Sequence, residues 1–307
     1  MGYTPLFKPD PEAVRTDGGV AYLYEPGIEL AVNVALATGR PLLLRGVPGS
    51  GKSTLASDVA WRRGWRYEPS VVTSRTQAQD LQWRFDAVRR LADAYGAEAA
   101  RARAGDPANY LDPGVLWLAF EPNVAALGAA DRAARLRADP SAEKPKDVVV
   151  LLDEIDKADP DVPNDLLMLL DQGWFEVAEV GRKVKRHPQM GMLMVITTNG
   201  ERDLPAAFVR RCVAYDIPPM SRAWMKKIVH RHHPGFDDEL LDAILTLLGE
   251  LQKRAEDAKV RAPSVAEVID AVRACVRTDI REASDPQWEK VATAALWKHP
   301  EEQKSAP

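Results

Sequence analysis

Only two cysteines occur in the 307 residues, Cys212 and Cys275, and they stand in unlike surroundings. A disulfide framework is not expected, and a reducing compartment is. No apolar run approaches the roughly 20 residues that a membrane helix needs. The longest such run lies near Val148 to Leu152, so membrane insertion is not expected. Residues Met1 to Asp17 carry three prolines and no apolar core segment. They do not read as a secretory leader, and a cytoplasmic location is the expectation. An excess of one charge is also missing, with 45 acidic against 41 basic residues and a formal net charge of −4. Overall attraction to nucleic acid is therefore not indicated, which leaves only a local basic patch. No internal repeat is found. What remains is an ordinary globular composition, 46% hydrophobic and 28% charged, long enough for about two domains.

Patterning along the chain predicts alternating strands and helices up to about Pro219. Residues 28–38 have helical apolar spacing, and Gly39 offers a stop. PLLLRG (41–46) reads as a buried strand, 52–63 as a helix and 65–73 as a second strand. A long helix is expected over about 77–103. YLDPGVLWLAF (110–120) is followed by an alanine-rich helical piece (124–138) and a polar loop (138–146). DVVVLLDE (147–154) is a continuous apolar run ending in acids, as in a strand covered on both faces of a parallel sheet. PDVPNDLLMLLDQG (160–173) predicts a helix with proline near its start and glycine after its end. Residues 174–190 alternate like a hairpin with Gly181 near its turn. MLMVITTN (192–199) and CVAYDIPP (212–219) are the last strands. Beyond Pro219 four helices are expected, near 222–232, 237–257, 265–279 and 286–298. The fold class expected is α/β, a parallel sheet sandwiched by helices, with a C-terminal helical domain. The divisions are an extension (1–19), a core (20–219), a helical domain (220–300) and a tail (301–307).

The chemistry begins at GVPGSGKS, Gly46 to Ser53, which fits the G-x-x-x-x-G-K-[ST] phosphate loop between a strand and a helix. Its glycines let backbone N–H groups turn onto phosphate oxygens. Lys52 can reach the outer phosphates, and the Ser53 hydroxyl can bind magnesium. The helix that follows adds its positive end. Gly46, Val47, Pro48, Gly49, Ser50, Gly51, Lys52, Ser53 and Thr54 form the nucleotide-binding run. Asp153 and Glu154 end the apolar strand, where such sheets do their chemistry. Asp153 can hold magnesium, and Glu154 can polarise an attacking water. Asp156 and Asp159 have no comparable support and read as loop or capping residues. Asn199 ends a third strand, and its amide could orient the same water. Arg210 and Arg211, before the last strand, could supply an arginine finger to a neighbouring subunit.

Other phosphate-loop classes lack their marks. None of the five asparagines is followed by lysine, as a guanine reader requires, and no LSGGQ-like signature occurs. The order of loop, Asp-Glu strand, Asn strand, arginine and helical domain resembles AAA+ ATPases over roughly residues 25–280. Within them, LLLRGVPGSGKS, LLDEIDKADPDVPNDLLMLLDQGWFEV and VITTNGERDLPAAFVRRC resemble the MoxR branch. TSRTQAQDL (73–81) and LDPGVLWLAF (111–120) resemble the segments that flank that branch's insert in the second helix, which faces the ring's pore or partner. The resemblance implies the usual nucleotide roles for Lys52, Ser53, Asp153, Glu154 and Asn199, with ATP and Mg2+ bound between core and helical lid. Arg211 matches the family's Asp-Arg-Phe finger. Here the motif reads Arg-Arg-Cys, so Arg210 and Arg211 stand as alternatives. The family's lid arginine has no direct match in RAPSVAEV (261–268), where Arg261 precedes the proline and is the remaining candidate.

The resemblance further implies a homo-oligomeric ring, hexameric, that remodels or matures a client protein. Such clients often carry a von Willebrand factor A domain. Two rivals are weighed. One is an assembly switch with little turnover. The other is a nucleic-acid-directed motor in a defence system, for which the hairpin tip GRKVKR (181–186) is the basic candidate. The histidines 230, 232 and 233 read as the end of a basic helix rather than a metal site. Trp174 and Phe175 read as packing, and Cys212 as a small buried residue.

Overall fold

The computed structural model describes residues 4–13, 15, 22–122 and 145–298. In chain order, the first helix, α1 (Pro26–Thr38), has proline at its start and closes on Gly39 at φ 66°. Strand β1 (Leu42–Arg45) leads through a loop into α2 (Lys52–Arg63) and then β2 (Arg66–Val71). Next come β3 (Trp83–Phe85), α3 (Ala87–Ala94), α4 (Glu98–Ala104), β4 (Leu111–Pro113) and α5 (Val115–Phe120). After them lie β5 (Val148–Asp153), α6 (Asp161–Gln172), β6 (Trp174–Val177), β7 (Arg182–Lys185), β8 (Met192–Thr198), the short α7 (Ala206–Val209) and β9 (Val213–Asp216).

Five strands form one sheet in the order β2-β5-β8-β1-β9, and every neighbouring pair is parallel. The pattern of β5 explains its central place. Val148 to Leu152 are all buried, so both faces need cover and only the terminal acid meets anything polar. Register sets Leu151 opposite Val195 and Leu44 opposite Thr197. The carboxyl ends of β1, β5 and β8 are thereby brought to one edge. The parallel sheet and the helices that connect its strands make this unit an α/β fold.

The long helix expected over 77–103 is not formed. Its first part is a 3-10 turn (Gln79–Leu81) and β3, which pairs antiparallel with β4. Asp86 then starts α3 by accepting from Arg89 N at 2.8 Å, a capping role stronger than its helix-interior propensity. Tyr95 and Gly96 interrupt the run before α4. The alanine-rich piece (124–138) and most of the polar loop after it lie outside the described residues, as do 16–21 and the tail 301–307.

Phe175 on the hairpin β6–β7 is the hub of the aromatic core. Trp83 stacks on it at 5.8 Å, Trp117 meets it edge-on at 6.1 Å, and Phe120 lies at 6.0 Å. Two polar ties lock the same place. Trp83 Nε1 donates to Glu179 at 3.0 Å, and Arg182 pairs with Glu121 at 2.6 Å. On β2, Arg66 donates to the carbonyls of Leu118 and Ala119 on α5, at 2.9 and 2.6 Å. The opposite face of the hairpin presents Lys183 and Lys185 to solvent, with Lys183 over the half-buried Trp174 ring at 4.5 Å.

The chain divides into two compact units. One holds the sheet, in residues up to 9, 25–45 and 53–216. The other takes 46–52, the described part of 10–24, and everything from Ile217. The second unit contains α8 (Arg222–His232), α9 (Asp238–Ala258), α10 (Val265–Arg277) and α11 (Trp288–Leu296). Their core includes Val229, Ile244, Leu248, Val272 and Cys275. Asp237 caps α9 by accepting from Leu240 N at 2.7 Å. Ser264 and Glu267 form a capping box on α10. His230 meets Asp238 at 3.1 Å. Among the described residues, no helix is long and apolar enough to cross a membrane.

Truncating the aromatic hub tests the packing. Phe175→Ala should lower the unfolding free energy by about 3–5 kcal/mol, read from the urea midpoint at unchanged slope. A loss near zero would mean that Phe175 does not organise this core.

Candidate functional site

The loop between β1 and α2 is shaped by glycines that no other residue can replace. Gly49 and Gly51 have φ of 79° and 87°, in the region that L side chains avoid. Space is short there as well. A Cβ on Gly49 would lie 2.2 Å from Ser264 Oγ, and one on Gly51 would lie 3.1 Å from the Tyr22 ring. The Lys52 ammonium donates to the carbonyls of Gly46 and Val47 at 2.7 and 2.9 Å. Ser50 Oγ is buried and has no partner among the described residues. A buried hydroxyl with no partner among the described residues, beside a lysine and the start of a helix, fits a phosphate. Val47 and Thr54 are exposed at the loop's rim.

Asp153 ends β5, and both of its oxygens accept from Ser53 Oγ on α2, at 2.9 and 2.8 Å. Thr197 Oγ1 on β8 donates to the same carboxylate at 2.5 Å. A hydroxyl and a carboxylate in contact are the oxygen donors that a hard divalent cation prefers, so the pair fits Mg2+. Glu154 then turns the chain sharply, at φ 61° and ψ 48°, a left-handed conformation costly for a non-glycine residue. Its N–H is given to Thr197 Oγ1 at 2.9 Å. Its carboxylate is held at both oxygens. Asn199 Nδ2 donates to Oε1 at 3.1 Å, and Lys157 Nζ to Oε2 at 2.6 Å.

The structure therefore gathers Ser53, Asp153, Glu154 and Asn199. It does not bring in Arg210 or Arg211. Both are exposed at the end of α7. Within the chain, neither side chain has a hydrogen bond or ion pair to another described residue. Arg261 pairs with the buried Glu267 at 3.2 Å, in the capping box whose serine approaches Gly49. Cys212 is buried, and burial pushes its thiol up to about 12, which leaves it unreactive.

Three residues here escape a reading of motifs. Thr197 bridges Asp153 and Glu154, and its only signal is a hydroxyl closing an apolar run. Asp156 is not a simple loop residue. It is 3% exposed and accepts from Glu201 N at 2.9 Å, tying the turn after Asn199 to the loop after Glu154. Lys157 was hidden in a charged stretch that reads as a solvated turn.

A family model described as an AAA domain of the dynein-related subfamily matches residues 41–212, more than half of the chain. None of the curated proteins matches the sequence. Among solved structures, a RuvB variant from Thermotoga maritima is 14% identical at a TM-score of 0.47, covering 87% of this chain and 68% of that one. A candidate ATPase from Cytophaga hutchinsonii is 14% identical at 0.42, covering 90% and 83%. The Thermotoga maritima RuvB Holliday junction branch migration motor is 15% identical at 0.44, covering 87% and 66%. Identities this low concern the fold alone.

Two substitutions probe the geometry. Gly49→Ala adds left-handed strain and a clash with Ser264, and should weaken binding of a fluescent ATP analogue at least about tenfold. Thr197→Val leaves the Glu154 N–H without its acceptor and should cost about 1–3 kcal/mol of stability, with Thr197→Ser nearly neutral in thermal unfolding. Equal behaviour of Val and Ser variants would remove Thr197 from the bridge.

Proposed function

Since the chain belongs to the AAA domain family, dynein-related subfamily, we propose that it binds ATP with Mg2+ and hydrolyses it to drive a ring that remodels or matures a client protein. The observation that carries this is the Ser53–Asp153 contact at 2.8 Å, with a glycine-shaped phosphate loop immediately before Ser53 in the chain and with Glu154 held at both oxygens. In this reading the ATPase core spans 20–219 and the helical lid 220–300, between the extension 1–19 and the tail 301–307.

Ser53 and Asp153 would hold Mg2+, which supplies positive charge against the phosphate oxygens. Lys52 exchanges its loop carbonyls for phosphate, and residues 46–54 cradle the chain of phosphates. Glu154 accepts a proton from water as the water oxygen bonds to the γ-phosphorus. The bond from that phosphorus to the bridging oxygen breaks, leaving ADP and phosphate. Asn199, whose amide donates to Glu154 Oε1 at 3.1 Å, orients the attacking water. Arg261, paired with Glu267 at 3.2 Å, remains the candidate for the lid arginine that meets nucleotide.

The exposure of Arg210 and Arg211 supports action across a subunit boundary, with Arg211 as the finger. A homo-oligomeric ring, hexameric by the MoxR resemblance, is the assembly this requires. The client is a protein, and a von Willebrand factor A domain is the partner class that the MoxR resemblance favours.

Glu154→Gln should lower ATP turnover by about 10²–10⁴-fold, while ATP still binds and the protein elutes as a larger assembly with ATP and Mg2+. Turnover equal to wild type would sink the assignment of the base. Arg211→Ala should cost about 10³-fold or more at intact ATP affinity. Mixing it with Glu154→Gln subunits should restore part of the turnover, because each variant supplies what its neighbour lacks. Absence of any rescue would refute action in trans.

A further inference from the structure

The charged stretch after Glu154 contains a lysine, Lys157, that holds Glu154 but has been given no part in the reaction. It stands on a short 3-10 turn (Ile155–Lys157). That turn is fixed from inside. Ile155 is fully packed, and Asp156 is buried with its carboxylate on Glu201 N. Lys157 N also donates to Glu154 O at 3.0 Å. The ammonium therefore projects from a rigid base onto the residue proposed as catalytic.

The two contacts on Glu154 are unequal. Lys157 Nζ to Oε2 is charge-assisted and 2.6 Å long, whereas Asn199 Nδ2 to Oε1 is neutral and 3.1 Å long. Short ionic hydrogen bonds are roughly twice as strong as neutral ones. Water arriving at the carboxylate would displace the weaker partner first. Resting on the reading of Glu154 as the base, we propose that Lys157 is a positioning residue: it anchors Oε2 permanently, so that Oε1 is the oxygen that receives the proton. Asn199 then yields Oε1 to the incoming water.

Two observations support this. The Lys157 proton is held more firmly than in a free lysine, first through the hydrogen bond to Glu154 and then through the charges of Glu154, Glu201 and Asp156. The lysine thus stays a cation throughout. The pair is also part-exposed, 38% for Lys157 and 30% for Glu154. A pair so placed contributes little to folding, so its geometry matters more to the site than to stability.

The experiment uses the full chain with ATP and Mg2+, comparing Lys157→Met, Lys157→Arg and Glu154→Gln with wild type. Lys157→Met should lower kcat at least about tenfold, with KM for ATP and the Kd of a fluorescent ATP analogue within about twofold. Its melting temperature should stay at the wild-type value. Lys157→Arg, which can keep the ionic bond, should regain a substantial part of kcat. The proposal is overturned if Lys157→Met keeps or exceeds wild-type kcat, if it loses nucleotide affinity in step with kcat, or if arginine does no better than methionine. Glu154→Gln separates the two levels. If it too retains turnover, the base assignment falls and this proposal with it. If it stalls while Lys157→Met is indifferent, only the role of Lys157 is lost.

Discussion

Five buried apolar residues precede Asp153 on β5, and its carboxylate is the first charged group the strand can offer. A carboxylate leaving such surroundings must be met by donors, or its desolvation is uncompensated. Ser53 brings the start of α2 to it, and Thr197 brings the end of β8. One charge therefore fixes where a helix begins and where two strands finish. The rest of the site is built outward from it. Thr197, having donated to Asp153, still accepts from Glu154 N, and this is what holds Glu154 in its left-handed turn.

Much of this was legible in the chain, for identifiable reasons. Helix α2 was expected at 52–63 and occupies Lys52–Arg63, because glycines end the loop and basic residues end the helix. Strands β5 and β8 read clearly as unbroken apolar runs. Helix α6 was bracketed by Pro160 and Gly173, which close it in the structure. The region 77–103 misled because alanine, arginine and leucine favour helix wherever tertiary contacts are silent. The burial of Trp83, which is not a local effect, and the Asp86 cap, which starts the helix only at Ala87, decided otherwise.

The site divides in the same way. The phosphate loop is a dense local motif, so its spacing alone points to chemistry. Thr197, Asp156 and Lys157 act through partners 44, 45 and 3 residues away. The first two cannot be found without the fold. Lys157 is near in sequence, but its meeting with Glu154 depends on a left-handed glutamate. Glutamate is an ordinary helix former, and nothing in its neighbours announces that backbone.

The hairpin β6–β7 has a mechanical consequence. Its inner side is clamped by Phe175 against three aromatic rings and by the Arg182–Glu121 pair. From α5 the contacts continue through Arg66 into β2, at the margin of the sheet. A load applied at Lys183 or Lys185 would pass through these contacts toward β2. The hairpin is in effect a short lever, whose deflection is shared with the sheet that carries Asp153.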